Sequence, residues 1–225
     1  MPLAYFSKVH TSLKLDVVSY PKDQPLGYLE LAALVVNNLP RGEQFILLGE
    51  SFSGPVAIAL AASRPAGLIG LVLSCSFARN PVPRFKLFRS MIGFIPLTRK
   101  LTGLIAPLLF GRLSSPRLRS ELMNALDGVS ANALRARLRA VLDVDFSDKL
   151  NQISVPILYL QALEDRVVPA SAGRHIQSVV PTANIVRMRG PHLLLQTLPD
   201  EAASIIQNFI GTSCAVFNTT GKHDA

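Results

Sequence analysis

The sequence predicts an α/β protein in which a mostly parallel β-sheet is flanked by helices. Three observations carry this. Short apolar runs alternate along the chain with segments of helical period. One of them, Phe-Ile-Leu-Leu at 45–48, is apolar throughout, as a strand buried on both faces is. Hydrophobic residues make up 49% of the 225 and mean hydropathy is +0.33, enough for one domain with a well-buried core and too apolar for a disordered chain.

Taken in order, residues 15–20 (Leu-Asp-Val-Val-Ser-Tyr) read as a short strand stopped by Pro21. Residues 28–39 read as a helix with Leu31, Val35 and Leu39 on one face. Residues 45–48 (Phe-Ile-Leu-Leu) form a buried strand, and the Ala-rich stretch 54–63 a helix. Residues 71–74, 157–160 and 185–188 read as three more buried strands. The last helix starts at Pro199, with Asp200 and Glu201 complementing its dipole, Ala202, Ile205, Ile206 and Phe209 facing the core, and Gly211 as its stop.

A long helical insertion, residues 79–150, separates the strand at 71–74 from that at 157–160. Ser115-Pro116 is a cap and first-turn proline ahead of Leu118, Leu122 and Leu126. Ser130 caps a helix expected to bury Leu134, Leu138 and Leu142 and to expose Arg135 and Arg139. The expected organisation is a core of residues 1–78 and 151–212, a helical cap of 79–150, and a loosely ordered tail of 213–225.

Charge is unevenly distributed. The chain carries a formal +8 and a sequence pI of about 9.9. Residues 79–150 hold 13 Lys/Arg against 5 Asp/Glu, and the rest of the chain 10 against 10. The excess therefore belongs to the insertion, and no nucleic-acid-binding module accompanies it. Cys75 and Cys214 form no disulfide framework and fit a reducing compartment, so a cytoplasmic location is expected. The first residues lack a basic stretch followed by an apolar run, so no secretory leader is expected.

Chemistry concentrates at three strand ends. Ser51 lies on the tight passage from the strand at 45–48 into the next helix, where a hydroxyl projects above the sheet edge. The Phe52 N–H heads that helix and favours an anion beside the hydroxyl. Asp165 follows the strand at 157–160, and His192 the strand at 185–188. Ligand sites of open α/β sheets gather at such carboxyl ends. An imidazole can take a serine proton, and a carboxylate can hold the imidazole tautomer.

Gly49-Glu50-Ser51-Phe52-Ser53-Gly54, Asp165-Arg166-Val167-Val168-Pro169 and Gly190-Pro191-His192 resemble the nucleophile elbow, acid loop and histidine loop of the α/β-hydrolase superfamily, over roughly residues 3–212. That resemblance implies the α/β-hydrolase fold, with the insertion as its cap. It implies a cofactor-free serine hydrolase of small-molecule esters, with Ser51 as nucleophile, His192 as base and acid, Asp165 as its partner, and Phe52 giving one oxyanion-hole N–H. Short to medium acyl chains are expected. Thioester hydrolysis and acyl transfer share this mechanism.

Two departures stand out. Ser53 occupies the elbow's second glycine position. The resemblance also implies a strand that precedes residue 15 in the chain and lies in the sheet between those at 15–20 and 45–48, and whose His-Gly-type loop supplies a second oxyanion N–H. No His-Gly dipeptide occurs and fourteen residues precede Leu15, so a short N-terminal side is expected. This leaves a second reading, a catalytically weak or inactive hydrolase-like binding protein or a truncated fragment.

Other residues carry plainer readings. Glu164 neighbours Asp165, but the resemblance's spacing to Val168-Pro169 implies Asp165 instead, and Glu50 reads as a packing or pocket residue. His10, His175 and His223 have no ligand-like spacing, so no metal site is expected. Cys75 reads as a buried strand residue, and Ser74 and Ser76 as strand filler or pocket lining. Phe85, Leu87, Phe88, Met91, Ile92, Phe94 and Ile95 lie among Arg84, Lys86, Arg89, Arg99 and Lys100, which suits contact with an anionic lipid surface. A solvated basic face over a pocket lid is the plainer alternative.

Overall fold

The computed structural model describes residues 15–94 and 99–214, with the backbone alone for residues 99–104, 213 and 214. In chain order the elements are α1 (Tyr28–Val36), β1 (Phe45–Glu50), α2 (Ser53–Ala62), β2 (Leu68–Ser74), α3 (Arg99–Phe110), α4 (Pro116–Leu126), α5 (Ala131–Asp143), α6 (Ser147–Asn151), β3 (Ile157–Ala162), α7 (Ser171–Val179), β4 (Asn184–Met188), α8 (Leu194–Thr197) and α9 (Pro199–Phe209). The four strands pair in sequence order, β1-β2-β3-β4, and every pairing is parallel. All four carboxyl ends therefore open on one edge of the sheet.

The runs of β2 and β3 are buried on both faces, as expected, whereas β1 is half-buried over residues 45–48 and β4, expected to be buried, exposes Asn184 and Arg187. One face carries Leu71, Leu73, Ile157 and Tyr159 against Ala57 and Ile58 of α2, Leu150 of α6 and Ile176 of α7. The other carries Val72, Leu158 and Leu160 against Ala202, Ile206 and Phe209 of α9. Leu71, Leu73, Leu158 and Leu160 are fully buried, each worth about 1.5–3 kcal/mol of transfer free energy. α1 lays Tyr28, Leu31 and Val35 against Val56 and Leu60 of α2. It ends at Val36, three residues before the expected Leu39. Among the described residues no helix is long and apolar enough to cross a membrane.

The strand expected at residues 15–20 is not formed. A strand needs a neighbour for its backbone N–H and C=O groups. Among the described residues no strand pairs with this segment, and β1 is at the edge of the sheet. The segment instead runs beside β1 across an apolar slot of about 230 Å3, lined by Val17, Val18, Leu47, Val56, Ala203 and Ile206.

Between β2 and β3 the chain is helical. It opens on a 3₁₀ segment, Pro83–Phe94, before α3 to α6. Ser115 and Ser130 cap α4 and α5 as expected, accepting from the N–H of Leu118 and Ala133. The buried face of α5 is rotated from the expected one: Ala133 and Leu142 are buried, Leu138 is exposed and Arg135 and Arg139 are half-buried. α5 packs against the 3₁₀ segment 83–94. After α9, Gly211 does not end the winding, which widens into a π turn over Ile210–Cys214. The expected tail otherwise falls on residues 215–225, outside those described.

Candidate active site

Ser51 terminates β1 with φ 51, and Cys75 terminates β2 with φ 46. Neither is glycine, so both are held in a sparsely populated left-handed conformation by their surroundings. The Ser51 N–H donates to the Ser74 carbonyl at 2.8 Å, and the Ser76 hydroxyl donates to the Ser51 carbonyl at 2.7 Å. The elbow is thus tied on both sides to the end of β2. Close packing demands glycine here: a Cβ on Gly49 would lie 2.8 Å from the Gly54 Cα, and one on Gly54 only 1.7 Å from the Ser76 Oγ. Ser53 at the second glycine position of the elbow is accommodated as the first residue of α2. The Phe52 ring stacks on Tyr28 at 4.8 Å between centroids and meets Tyr20 edge-on at 6.2 Å, which anchors the start of that helix.

The three strand-end residues converge. The Ser51 Oγ lies 2.6 Å from the His192 Nε2, and the His192 Nδ1 lies 2.8 Å from the Asp165 Oδ2. The other oxygen of Asp165 accepts from the N–H groups of Val167 and Val168 at 2.8 and 2.9 Å, which fixes the carboxylate's orientation. The side chains of Asp165 and His192 are 6% and 1% exposed, so the pair works away from solvent screening. The acid and histidine loops are laced together by Leu163 N–H to the Met188 carbonyl and Glu164 N–H to the Gly190 carbonyl. The Leu193 N–H donates to the Leu109 carbonyl of α3, and Leu193 packs among Ala106, Phe110, Leu118 and Leu122. The segment between β2 and β3 therefore covers the histidine loop.

Glu164 is not part of this chain of contacts. It pairs with Arg112 at 2.9 Å. His175 accompanies Ser147 at 2.9 Å, but there the serine hydroxyl donates to Asp145 at 2.6 Å, so its proton already belongs to a carboxylate. His10, His223 and the Cys214 side chain fall outside what is described.

Three residues matter more than their sequence context suggests. Ser76 holds the elbow rather than lining a pocket, and its only signal is a polar residue two positions past a buried strand. Glu50 is buried, and its carboxylate accepts from the Gln196 amide at 2.8 Å and the Leu195 N–H at 3.3 Å, joining the elbow strand to the stretch after His192. Burial raises its carboxyl above the usual range, against the lowering pull of Gln196 and nearby His192. Cys75 converges with Asp165 and His192, their ligand atoms lying within 4.8 Å of one another. Among the described residues this is the group able to approach a metal ion, yet it fits one poorly. The imidazole and carboxylate already bond each other, and burial holds the thiol well above its usual pKa and so protonated.

A parallel sheet with a left-handed serine between strand and helix, facing a histidine from a later strand end, is the architecture of the α/β hydrolases. The chain belongs to the Alpha/beta hydrolase family, whose model matches residues 15–205. A protein named as a carbamate hydrolase, RutD of Caulobacter sp. (strain K31), is 26% identical over 182 residues, spanning 77% of this chain and 68% of that one. Further curated relatives are matched over 38%, 40% and 61% of their own length. Among solved structures, the enol-lactonase from Burkholderia xenovorans LB400 superposes with a TM-score of 0.73 at 18% identity, covering 86% of this chain and 76% of that one. An esterase from Thermogutta terrifontis superposes with a TM-score of 0.68 at 21% identity, covering 83% and 71%. The chain thus has the family signature and the fold of the α/β hydrolases.

Proposed function

We propose that this hydrolase cleaves carboxylic esters of short to medium acyl chain through a Ser51–His192–Asp165 triad and an acyl-enzyme. The observation that carries the reading is the unbroken contact chain from the Ser51 hydroxyl through His192 to a doubly braced Asp165. His192 Nε2 takes the Ser51 proton as Oγ attacks the ester carbonyl carbon. Asp165 holds the tautomer with the proton on Nδ1 and stabilises the imidazolium. The oxyanion forms beside the Phe52 N–H at the head of α2, where backbone N–H groups and the helix dipole favour negative charge. The C–O bond then breaks, and the imidazolium protonates the departing alkoxide. A water deprotonated by His192 attacks the acyl-enzyme, and Ser51 regains its proton as the acid leaves. The helical segment over the histidine loop acts as a cap that shapes the acyl pocket.

A second reading, weak turnover, is favoured by β1, beside which no further strand lies among the described residues. The oxyanion donor expected from a strand beside it is not among the described residues. Lacking one donor raises the barrier by about 2.7–4 kcal/mol, a rate loss of roughly 10²–10³. Both readings are tested by p-nitrophenyl butyrate hydrolysis. The expected result is turnover by the wild type that Ser51→Ala abolishes without lowering Tm. Unchanged hydrolysis by that variant sinks the triad, and no hydrolysis by the folded wild type favours the binding-protein alternative.

A further inference from the structure

Among the described residues, exposed large apolar side chains are densest along Pro83–Phe94. This segment packs against α5 and is tied to it by an ion pair. Ile92 is buried, and the Arg89 Nε reaches both carboxylate oxygens of Asp143 at 2.8 and 2.7 Å. Everything else large and apolar in the segment faces water. Leu87 and Phe94 are 86% and 87% exposed, and Phe85, Phe88 and Met91 are each more than half exposed. Phe85 and Phe88 lie side by side, with ring centroids 6.3 Å apart. Five such side chains within twelve residues form a patch, where soluble chains expose them singly.

The charges between them decide the occupant. Arg84, Lys86 and Arg89 punctuate the segment, which contains no acidic residue. The surrounding stretch 79–150 carries 13 basic residues against 5 acidic. Hydrophobic side chains that enter a headgroup layer, interleaved with cations that stay at phosphate level, match an anionic lipid surface. A protein partner would want a dry, charge-depleted centre, and a nucleic acid would leave the aromatic and aliphatic side chains unburied.

We infer that the Pro83–Phe94 ridge is a membrane-contact surface that docks the protein on anionic bilayers through Leu87, Phe94 and their apolar neighbours, with Arg84 and Lys86 on the headgroups. Docking is reversible: among the described residues no helix is long enough to span, and the ridge enters only the interfacial layer. The segment leads into α3, whose carboxyl end packs over the histidine loop, so ester-bearing lipids in the bilayer would be presented beside the cap. The docking itself does not rest on the hydrolase reading.

The test uses full-length Ser51→Ala protein, so that binding is read without turnover. Co-sedimentation compares vesicles of phosphatidylcholine alone with vesicles containing about 30% phosphatidylglycerol. The expected result is binding to the anionic vesicles that weakens as salt is raised. Leu87→Glu/Phe94→Glu should lower the affinity more than tenfold, and Arg84→Ser/Lys86→Ser about fivefold for each charge removed. Unchanged Tm in both double variants shows that the fold is intact. Failure to bind either vesicle, or binding that ignores both double variants, overturns the inference. A stable dimer at micromolar concentration that Leu87→Glu/Phe94→Glu dissolves, without vesicle binding, overturns it in favour of contact between copies.

Discussion

Gly54→Ala is the most searching perturbation of the elbow. On an ordinary helix, alanine gains up to about 1 kcal/mol over glycine, so a bland site would be stabilised. Here the added Cβ would lie 1.7 Å from the Ser76 Oγ and 2.5 Å from its Cβ, where non-bonded heavy atoms sit about 3.5–4.0 Å apart. The head of α2 must retreat by roughly 1–2 Å, and the Ser76 bond to the Ser51 carbonyl breaks. Overpacking costs about 1–3 kcal/mol and the lost bond about 1 kcal/mol. Set against the helix gain, about 2 kcal/mol of destabilisation remains, which is roughly 4–8 °C in Tm for a chain of this size. Displacing the Ser51 hydroxyl by about 1 Å should slow ester turnover on the order of 100-fold. Calorimetry and p-nitrophenyl butyrate kinetics read both. The double variant Gly54→Ala/Ser76→Gly removes the clashing atoms and leaves Leu73 at an ordinary 3.5 Å. It should melt no lower than Ser76→Gly alone. A Gly54→Ala protein with wild-type Tm and rate, or a double variant that melts below both singles, refutes this account of the elbow.

Three further outcomes follow from the same geometry. Asp165→Asn frees the imidazole tautomer and should lower kcat by about 10³–10⁴ with a small change in Tm, whereas Glu164→Gln, which touches only the exposed Arg112, should stay within about twofold of wild type. Reversed behaviour of these two variants would reassign the acid. Glu50→Gln bears on stability against pH. The raised pKa of Glu50 means that its protonated form favours the fold, so the stability it contributes is present at acid pH and is lost as pH rises through its folded-state pKa. The neutral glutamine should therefore gain on the wild type in Tm as pH climbs above the ordinary glutamate value of about 4.3, and level off once the wild-type carboxyl has ionised in the fold. Parallel Tm curves would show that Glu50 does not titrate across the transition. The Gln196 Oε1, buried without a partner, can accept from the amide that Glu50→Gln introduces once the Gln196 amide flips, so this variant should keep near-normal KM for p-nitrophenyl butyrate.

Much of this molecule is legible locally. The runs containing Val72 and Leu158 are apolar at successive positions because both sheet faces are covered, and that pattern needs no partner to be recognised. Ser115 and Ser130 announce their helices because a cap is a contact between residues three apart. The strand expected at 15–20 does not form because its β-forming residues need a neighbouring backbone, and pairing is not written into the segment itself. The buried face of α5 departs from its leucine stripe at a contact with the 3₁₀ segment 83–94, a neighbour distant in sequence. At the site, the order Ser51, Asp165, His192 is readable as three strand ends. Ser76 and Glu50 are not, since each acts on a segment 25 or 146 positions away. Sequence alone places the basic excess in 79–150, but only the fold reveals that the apolar residues between those charges face outward.

Active-site labelling tests the central claim most directly. A fluorophosphonate reacts with a serine only where a base activates the hydroxyl and the oxyanion is supported. The expected result is one adduct per chain, mapped by peptide mass spectrometry to Ser51, absent in Ser51→Ala and strongly slowed in His192→Ala. A folded wild-type protein that remains unlabelled, or that carries the adduct on another residue, contradicts it.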